Sequence, residues 1–139
     1  MTTNIATTKK QSARLLQCGV SAESADMYYQ VPITLSQKQR GEDILLLKRP
    51  NKTLYNIDTP AWSLSALLAL LPKRIKRGDC TDYTLNLSCD GFFWDLEYTY
   101  ARYCGEDDSL VLLEDADPIK ACVQLIEWLT ANNYKLNEL

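Results

Sequence analysis

Two carboxylates, Asp95 and Glu97, stand two positions apart in a stretch that alternates polar and apolar residues. Such alternation predicts a β-strand, on which residues two apart share one face. Carboxylates on one face can bind a metal ion or act as general acid and base. Nucleases of the D…ExK type carry a lysine two positions after the glutamate, but this chain has Thr99 there. We therefore interpret the pair as part of a solvated sheet face.

Two acidic clusters, at 106–108 and 114–117, are the other candidates for binding a cation. An EF-hand loop needs alternating oxygen ligands, a central glycine and a closing glutamate, and neither cluster provides this pattern. The first is typical of a polar loop. The second is typical of a helix N-terminus, where the helix dipole favours acidic side chains. The sequence therefore predicts no metal site.

The chain has no histidine and five cysteines, which lie at positions 18, 80, 89, 104 and 122. Histidine is the usual general acid or base near neutral pH, so Ser-His-Asp and Cys-His catalysis are excluded within this chain. The cysteines show no CxxC spacing, which excludes a zinc ribbon and favours reduced thiols. We predict no catalytic residue and no cofactor, and these features favour a non-enzymatic role.

Lys73, Arg74, Lys76 and Arg77 form a basic run directly after a leucine-rich segment. Basic side chains can contact phosphates, and each contact adds salt-dependent affinity for nucleic acid. Cationic side chains are also common near a helix C-terminus, where the dipole stabilises them. These four residues are the tentative interaction residues of the chain, with both interpretations open.

Several aromatic residues exceed what the hairpin core described below needs. Aromatic side chains are enriched at protein interfaces, but most of them pack in cores or line loops, so both interpretations stay open. The residues are Tyr28, Tyr29, Tyr55, Trp62, Tyr100 and Tyr103.

Length and composition indicate a single domain over 1–139 with a frayed N-terminus at 1–6. The chain has 139 residues, of which 46% are hydrophobic, and a net charge of −3. A chain of this size can bury a core without disulfides or metals, and its charge gives no global attraction to nucleic acid. The first residues lack an apolar run, and the longest apolar stretch, 66–71, is too short to span a bilayer. We predict a cytoplasmic protein with no membrane segment.

Three segments have helical periodicity, at about 8–18, 63–71 and 118–131. Ser63 and Asp117 can cap the second and third helices, because their side-chain oxygens can accept hydrogen bonds from unpaired backbone N–H groups. Between these helices, the segment 31–60 shows no clear period. Its one apolar run, at 44–47, is too short to assign to a helix or a strand.

A β-hairpin is predicted at about 81–100, and a third strand at about 109–114. Asp90-Gly91 favours a two-residue type I′ turn, and the alternation of apolar residues on both sides agrees with that turn. The expected cross-strand pairs are Cys89 with Phe92, Leu87 with Trp94, Leu85 with Leu96, and Tyr83 with Tyr98. Together with the helices, the hairpin predicts an α+β fold in which a small antiparallel sheet packs against three helices.

Three stretches of the chain, ARLLQCGVSAESADMYY (13–29), PAWSLSALLALLP (60–72) and DPIKACVQLIEWLTANNY (117–134), together cover much of its length. They resemble a family of small uncharacterised proteins from gut Bacteroidales genomes and their phages or mobile elements. The resemblance implies a mobile-element context, and it transfers no catalytic or binding residue.

These observations favour a non-enzymatic phage or mobile-element accessory protein that acts through protein–protein contacts or self-association. One alternative is a small nucleic-acid-associated protein that uses the basic run at 73–77. A second is a histidine-free enzyme that uses surface carboxylates such as Asp95 and Glu97.

Overall fold

The computed structural model describes residues 4–31, 35–36, 43–50, 53–54, 57–77, 81–100 and 108–138. These residues form α-helices and two antiparallel β-sheets, which confirms the predicted α+β class. The helices are α1 (Lys9–Gln17), α2 (Leu64–Leu70) and α3 (Pro118–Ala131), and a 3₁₀ turn spans Ala22–Ser24. The strands are β1 (Met27–Gln30), β2 (Ile44–Leu47), β3 (Thr59–Ala61), β4 (Arg74–Arg77), β5 (Thr81–Cys89), β6 (Trp94–Tyr100) and β7 (Asp108–Asp115).

Side-chain caps determine where each helix begins. Thr8 and Gln11 form a reciprocal capping box at the start of α1, in which each side chain accepts a hydrogen bond from the other residue's backbone N–H. Ser63 caps α2 and Asp117 caps α3, as predicted. The observed helix boundaries therefore agree with the predicted ones to within one residue.

The larger sheet has four strands in the order β4-β5-β6-β7, and helix α3 packs against β6 and β7. The main core lies between this sheet and the helices. Its fully buried members include Leu96, Tyr98, Leu125, Ile126 and Leu129. Burial of each such side chain contributes about 1.5–3 kcal/mol. The side chains that alternate with Leu96 and Tyr98 on β6 point away from the helices, and we call that side of the sheet the outer face.

The β5–β6 hairpin lies where predicted, but its register and turn differ from the prediction. The observed pairs are Cys89 with Trp94, Leu87 with Leu96, and Leu85 with Tyr98, a shift of two residues. The predicted type I′ turn is wrong because it needs positive φ at both central residues, and Asp90 lacks it while Gly91 has φ of 101°. Since the shift is an even number, every side chain within the paired strands stays on its predicted face.

A second sheet, in the order β2-β1-β3, was not predicted. It includes the short apolar run at 44–47, which forms β2 and pairs with β1. A small separate core packs on this sheet, formed by Ala6, Met27 and Ala61 with Tyr29 and Leu45 at its border.

At the N-terminal end, where residues 1–6 are predicted to fray, Ala6 packs on the fold. Residues 1–3 lie outside the described residues, but Ala6 is buried and forms an isolated β-bridge with Ser63. Thr7 then joins the chain to β3, because Thr7 N–H donates to the Trp62 carbonyl and Thr7 Oγ1 accepts from Trp62 N–H. The assignment of 1–139 to a single domain stays a prediction.

Candidate functional site

The end of the β5–β6 hairpin carries the most exposed aromatic side chains in the described part of the chain. Phe92 is 82% exposed, Phe93 is 48% exposed, and Leu87 near the end of β5 is 38% exposed. Cys89 adds an exposed thiol. We call these four side chains the hairpin tip. Exposed apolar residues that cluster in this way, unlike scattered ones, are typical of an interaction surface.

Asp90 holds the loop of the hairpin tip in one conformation. Its Oδ1 accepts hydrogen bonds from Phe92 N–H at 2.9 Å and from Phe93 N–H at 2.8 Å. These two bonds stabilise the ionised carboxylate and lower the pKa of Asp90 below its ordinary value. Because the loop is already ordered, the two phenylalanines lose less conformational entropy when they bind a partner.

The hairpin tip lies beyond the part of the sheet that the helices cover. On β5, Tyr83 is buried near the start of the strand, whereas the last four residues are all exposed. The core therefore ends before the hairpin does. The tip residues contribute little burial to the fold, so their apolar character needs another explanation.

Carboxylates flank the hairpin tip on the outer face. Asp95 stands opposite Glu114 of β7, and like charges directly opposite each other destabilise a sheet. One carboxylate oxygen of Asp95, Oδ1, is buried and has no hydrogen-bond partner among the described residues. Glu97 shares this face, as predicted for the pair. Among the residues that the structure describes, no group of three or more Cys, Asp or Glu side chains could hold a metal ion.

The predicted basic run lies on an edge strand of the larger sheet. All four side chains are exposed; Lys73 precedes β4, and β4 contains Arg74, Lys76 and Arg77. The charges are therefore not placed at the end of α2, which finishes at Leu70. Between them Ile75 is buried in the main core and anchors the strand. Charged residues on an edge strand discourage pairing with other sheets.

The aromatic residues that the sequence analysis singled out are mostly structural. Trp62 is fully buried and Tyr28 is 8% exposed. Tyr29 is partly buried and donates from its hydroxyl to the Thr7 carbonyl. Tyr100 packs edge-to-face on Tyr83. Tyr55 and Tyr103 lie outside the described residues. The exposed aromatic surface is instead the Phe92–Phe93 pair, which was not among the candidate interface residues.

The cysteines differ in their environments. Cys89 is exposed, Cys18 is half-buried and Cys122 is buried in α3, and all three are free thiols. Burial raises the pKa of Cys122 to about 12, and the nearby Asp117 carboxylate adds to the shift. Cys80 and Cys104 lie outside the described residues.

We expect alkylating reagents to modify Cys89 and to leave Cys122 unmodified in the folded protein. A pKa of about 12 for Cys122 leaves only roughly one thiol in ten thousand ionised at pH 8, and the thiolate is the reactive form. Iodoacetamide labelling followed by peptide mass spectrometry should show modification at Cys89 at least about a hundred times faster. Labelling in urea provides the control, since the two rates should then converge. Comparable native rates would contradict the prediction.

In the described part of the chain, no helix is both long and apolar enough to cross a membrane. Comparison with protein-family models, with curated proteins and with solved structures found no match for this chain. These comparisons therefore assign no function, and the binding surface must be inferred from the surface chemistry.

Proposed function

We propose that this chain is a non-enzymatic accessory protein of a phage or mobile element, that it resides in the cytoplasm, and that it works by binding another protein through the hairpin tip. The observation that carries the proposal is the ordered, exposed Phe92–Phe93 pair at the end of a protruding hairpin. Aromatic side chains at the centre of an interface often dominate its binding energy.

The charges around the hairpin tip indicate the chemistry of the partner. The carboxylate of Asp90 lies on the loop, that of Asp95 lies on β6, and that of Glu114 lies opposite Asp95 on the neighbouring strand β7. A partner that buries the phenylalanines should therefore present an apolar pocket edged by lysine or arginine side chains. Tip-to-tip association of two copies would instead bring like charges together.

The test uses a photo-crosslinking amino acid at position 92 in the native host, followed by binding measurements with the captured protein. Phe92→Ser combined with Phe93→Ser should weaken binding by at least about thirtyfold, since central aromatic residues each contribute 2 kcal/mol or more. Leu47→Ser provides the matched control, because Leu47 is 73% exposed and lies on the other sheet. Equal binding by the tip variant, or equal loss in the control, would refute the proposal.

Nucleic-acid binding by the basic run is the second candidate. It is favoured by the exposure of all four basic side chains, of which Lys73 precedes the edge strand β4 and the other three lie on it. Phosphate contacts predict affinity that falls steeply as salt increases. Absence of a mobility shift on DNA and RNA at low salt would remove this candidate.

A further inference from the structure

A cavity of about 490 Å³ opens where the C-terminal ends of all three helices meet. Cys18 at the end of α1, Leu70 at the end of α2 and Thr130 in the last turn of α3 line it. Residues 135–138, which follow α3, form another wall. The volume lies within the range of small-molecule sites, which is roughly 300–1,000 Å³. The hairpin tip contributes no residue to this cavity, so the cavity is independent of the proposed protein contact.

Asn137 connects the C-terminal wall of the cavity, residues 135–138, to the end of α2 through hydrogen bonds. Its backbone N–H donates to the Leu70 carbonyl at 2.8 Å, and its side-chain Nδ2 donates to the carbonyls of Ala69 and Leu71, both at 3.0 Å. Three hydrogen bonds to the end of one helix hold this wall in place before any ligand arrives. Both Nδ2 hydrogens are used, so the polar atom that Asn137 still offers is its acceptor, Oδ1.

Two further polar side chains of the wall, Ser24 and Thr130, have also committed their hydrogens. Ser24 Oγ donates to the Ser21 carbonyl at 2.6 Å and accepts from Trp62 Nε1 at 2.9 Å, which leaves one lone pair. Thr130 Oγ1 donates its single hydrogen to the carbonyls of Ile126 and Glu127, which leaves its lone pairs. Ser24, Thr130 and Asn137 therefore offer a ligand only acceptors, whereas Ser21 and Lys135 of the same lining can also donate.

The electrostatic environment also favours a cation in this cavity. Each helix C-terminus carries up to about half a negative elementary charge, and two helices longer than eight residues, α1 and α3, end here. Glu138 adds a carboxylate to the lining, whereas Lys135 adds an exposed ammonium group that opposes a cationic ligand. The apolar side chains of Val20, Leu70 and Leu136 complete the lining.

We propose that this cavity binds a small primary amine with a short apolar body. The ammonium group would donate its hydrogens to the acceptors of Ser24, Thr130 and Asn137. The hydrocarbon part would rest on Val20 and Leu136. A carboxylate ligand could pair with the exposed Lys135, but the three acceptors, Glu138 and the helix C-termini would repel it.

The test compares n-hexylammonium with n-hexanol and n-hexanoate, three probes of the same length, in NMR titrations of the full chain. Hexylammonium should produce saturable shifts of the Gly19, Val20 and Leu136 backbone amides, and hexanoate should not. The proposal is overturned if hexanoate or hexanol binds as tightly as hexylammonium, or if hexylammonium produces no saturable shift at these residues.

Two variants examine the hydrogen-bond and charge contributions separately. Thr130→Val removes an acceptor at nearly constant shape and should weaken hexylammonium binding about tenfold or more. Thr84→Val, an exposed position on β5, is the matched control and should leave the affinity unchanged.

Lys135→Ala should strengthen amine binding about two- to fivefold, because it removes a like charge. Weaker amine binding in Lys135→Ala, or unchanged affinity in Thr130→Val, would refute the proposal.

Discussion

Replacing Trp62 with alanine should lower the free energy of unfolding by about 3–5 kcal/mol, the usual cost of removing a fully buried tryptophan. Trp62 has no exposed surface and belongs to the main core, although it directly follows β3 of the smaller sheet. Small domains are stable by only about 5–15 kcal/mol in total. The variant should therefore lose a large fraction of its stability.

The loss of stability in Trp62→Ala should be large because Trp62 joins parts of the chain that are distant in sequence. Its indole Nε1 donates to Ser24 Oγ at 2.9 Å, and its backbone bonds reach Thr7 near the N-terminus. The preceding residue, Ala61, belongs to the smaller core instead. Loss of the indole would leave a cavity at the junction of the two cores, and Ser24 Oγ would lose its hydrogen-bond donor while keeping its own bond to the Ser21 carbonyl.

Urea denaturation followed by circular dichroism measures this change without relying on tryptophan fluorescence. Phe92→Ala is the matched control, an aromatic-to-alanine change at a side chain that is 82% exposed, and it should change stability by no more than about 0.5 kcal/mol. If the two variants lost similar stability, the assignment of Trp62 to the core and of Phe92 to the surface would be wrong.

The helices were predictable because the signals that start and stop them are local. Ser63 and Asp117 accept hydrogen bonds from N–H groups two or three residues ahead, so the sequence around each cap contains the whole interaction. The apolar spacing of α3 likewise places its buried residues on one stripe. Such interactions need no information about distant parts of the chain.

The smaller sheet was not predictable because its strands are short and their partners are distant. Strand β3 contains three residues, one of them Pro60, which cannot donate a backbone hydrogen bond. Strand β2 is a four-residue apolar run without alternation, and its pairing with β1 spans a segment that shows no period. Only tertiary contacts distinguish such a run from a short piece of helix.

The hairpin shows how one side chain can change a register. The dipeptide Asp90-Gly91 favours a type I′ turn, but the Asp90 carboxylate bonds to the N–H groups of Phe92 and Phe93, which enlarges the loop. The enlarged loop removes both phenylalanines from the strand pairing and leaves them in solvent. The two adjacent phenylalanines could have indicated this loop from the sequence. Neighbouring residues of a strand face opposite sides of the sheet, so Phe92 and Phe93 could not both enter one core.

The candidate cavity was beyond prediction for a different reason. Ser24, Thr130 and Asn137 are ordinary polar residues in sequence, and they come together only when the three helix ends meet. Their acceptor character follows from hydrogen bonds to carbonyls such as those of Ser21 and Ala69, which no local pattern reveals. The basic run, in contrast, was identified from sequence, but its placement on an edge strand was not.

Tyr98→Ala is the second large change in stability that we expect, with a cost of about 3–5 kcal/mol. Tyr98 is fully buried on the central strand β6, and its hydroxyl donates to the Pro72 carbonyl at 2.7 Å. Tyr98→Phe keeps the ring and removes only the hydroxyl. It should cost about 1–3 kcal/mol, because the Pro72 carbonyl loses its donor inside the protein. Denaturation of both variants therefore separates the packing contribution from the hydrogen bond.

The contribution of the Tyr98 hydroxyl to the free energy of unfolding should also decrease at high pH, because Tyr98 is buried. Burial raises the pKa of Tyr98 above its ordinary value of 10.0, and the neighbouring Cys122 adds to the shift. Above pH 10 the unfolded phenol ionises while the folded one stays neutral, so unfolding releases a proton and the folded state loses stability. The stability difference between wild type and Tyr98→Phe should be constant below pH 10 and then decrease by up to about 1.4 kcal/mol per pH unit. The other tyrosines are common to both proteins, so their ionisation cancels in this comparison. If the stability difference between the two proteins stayed constant above pH 10, Tyr98 would ionise as readily in the folded chain as in water, and the prediction would be wrong.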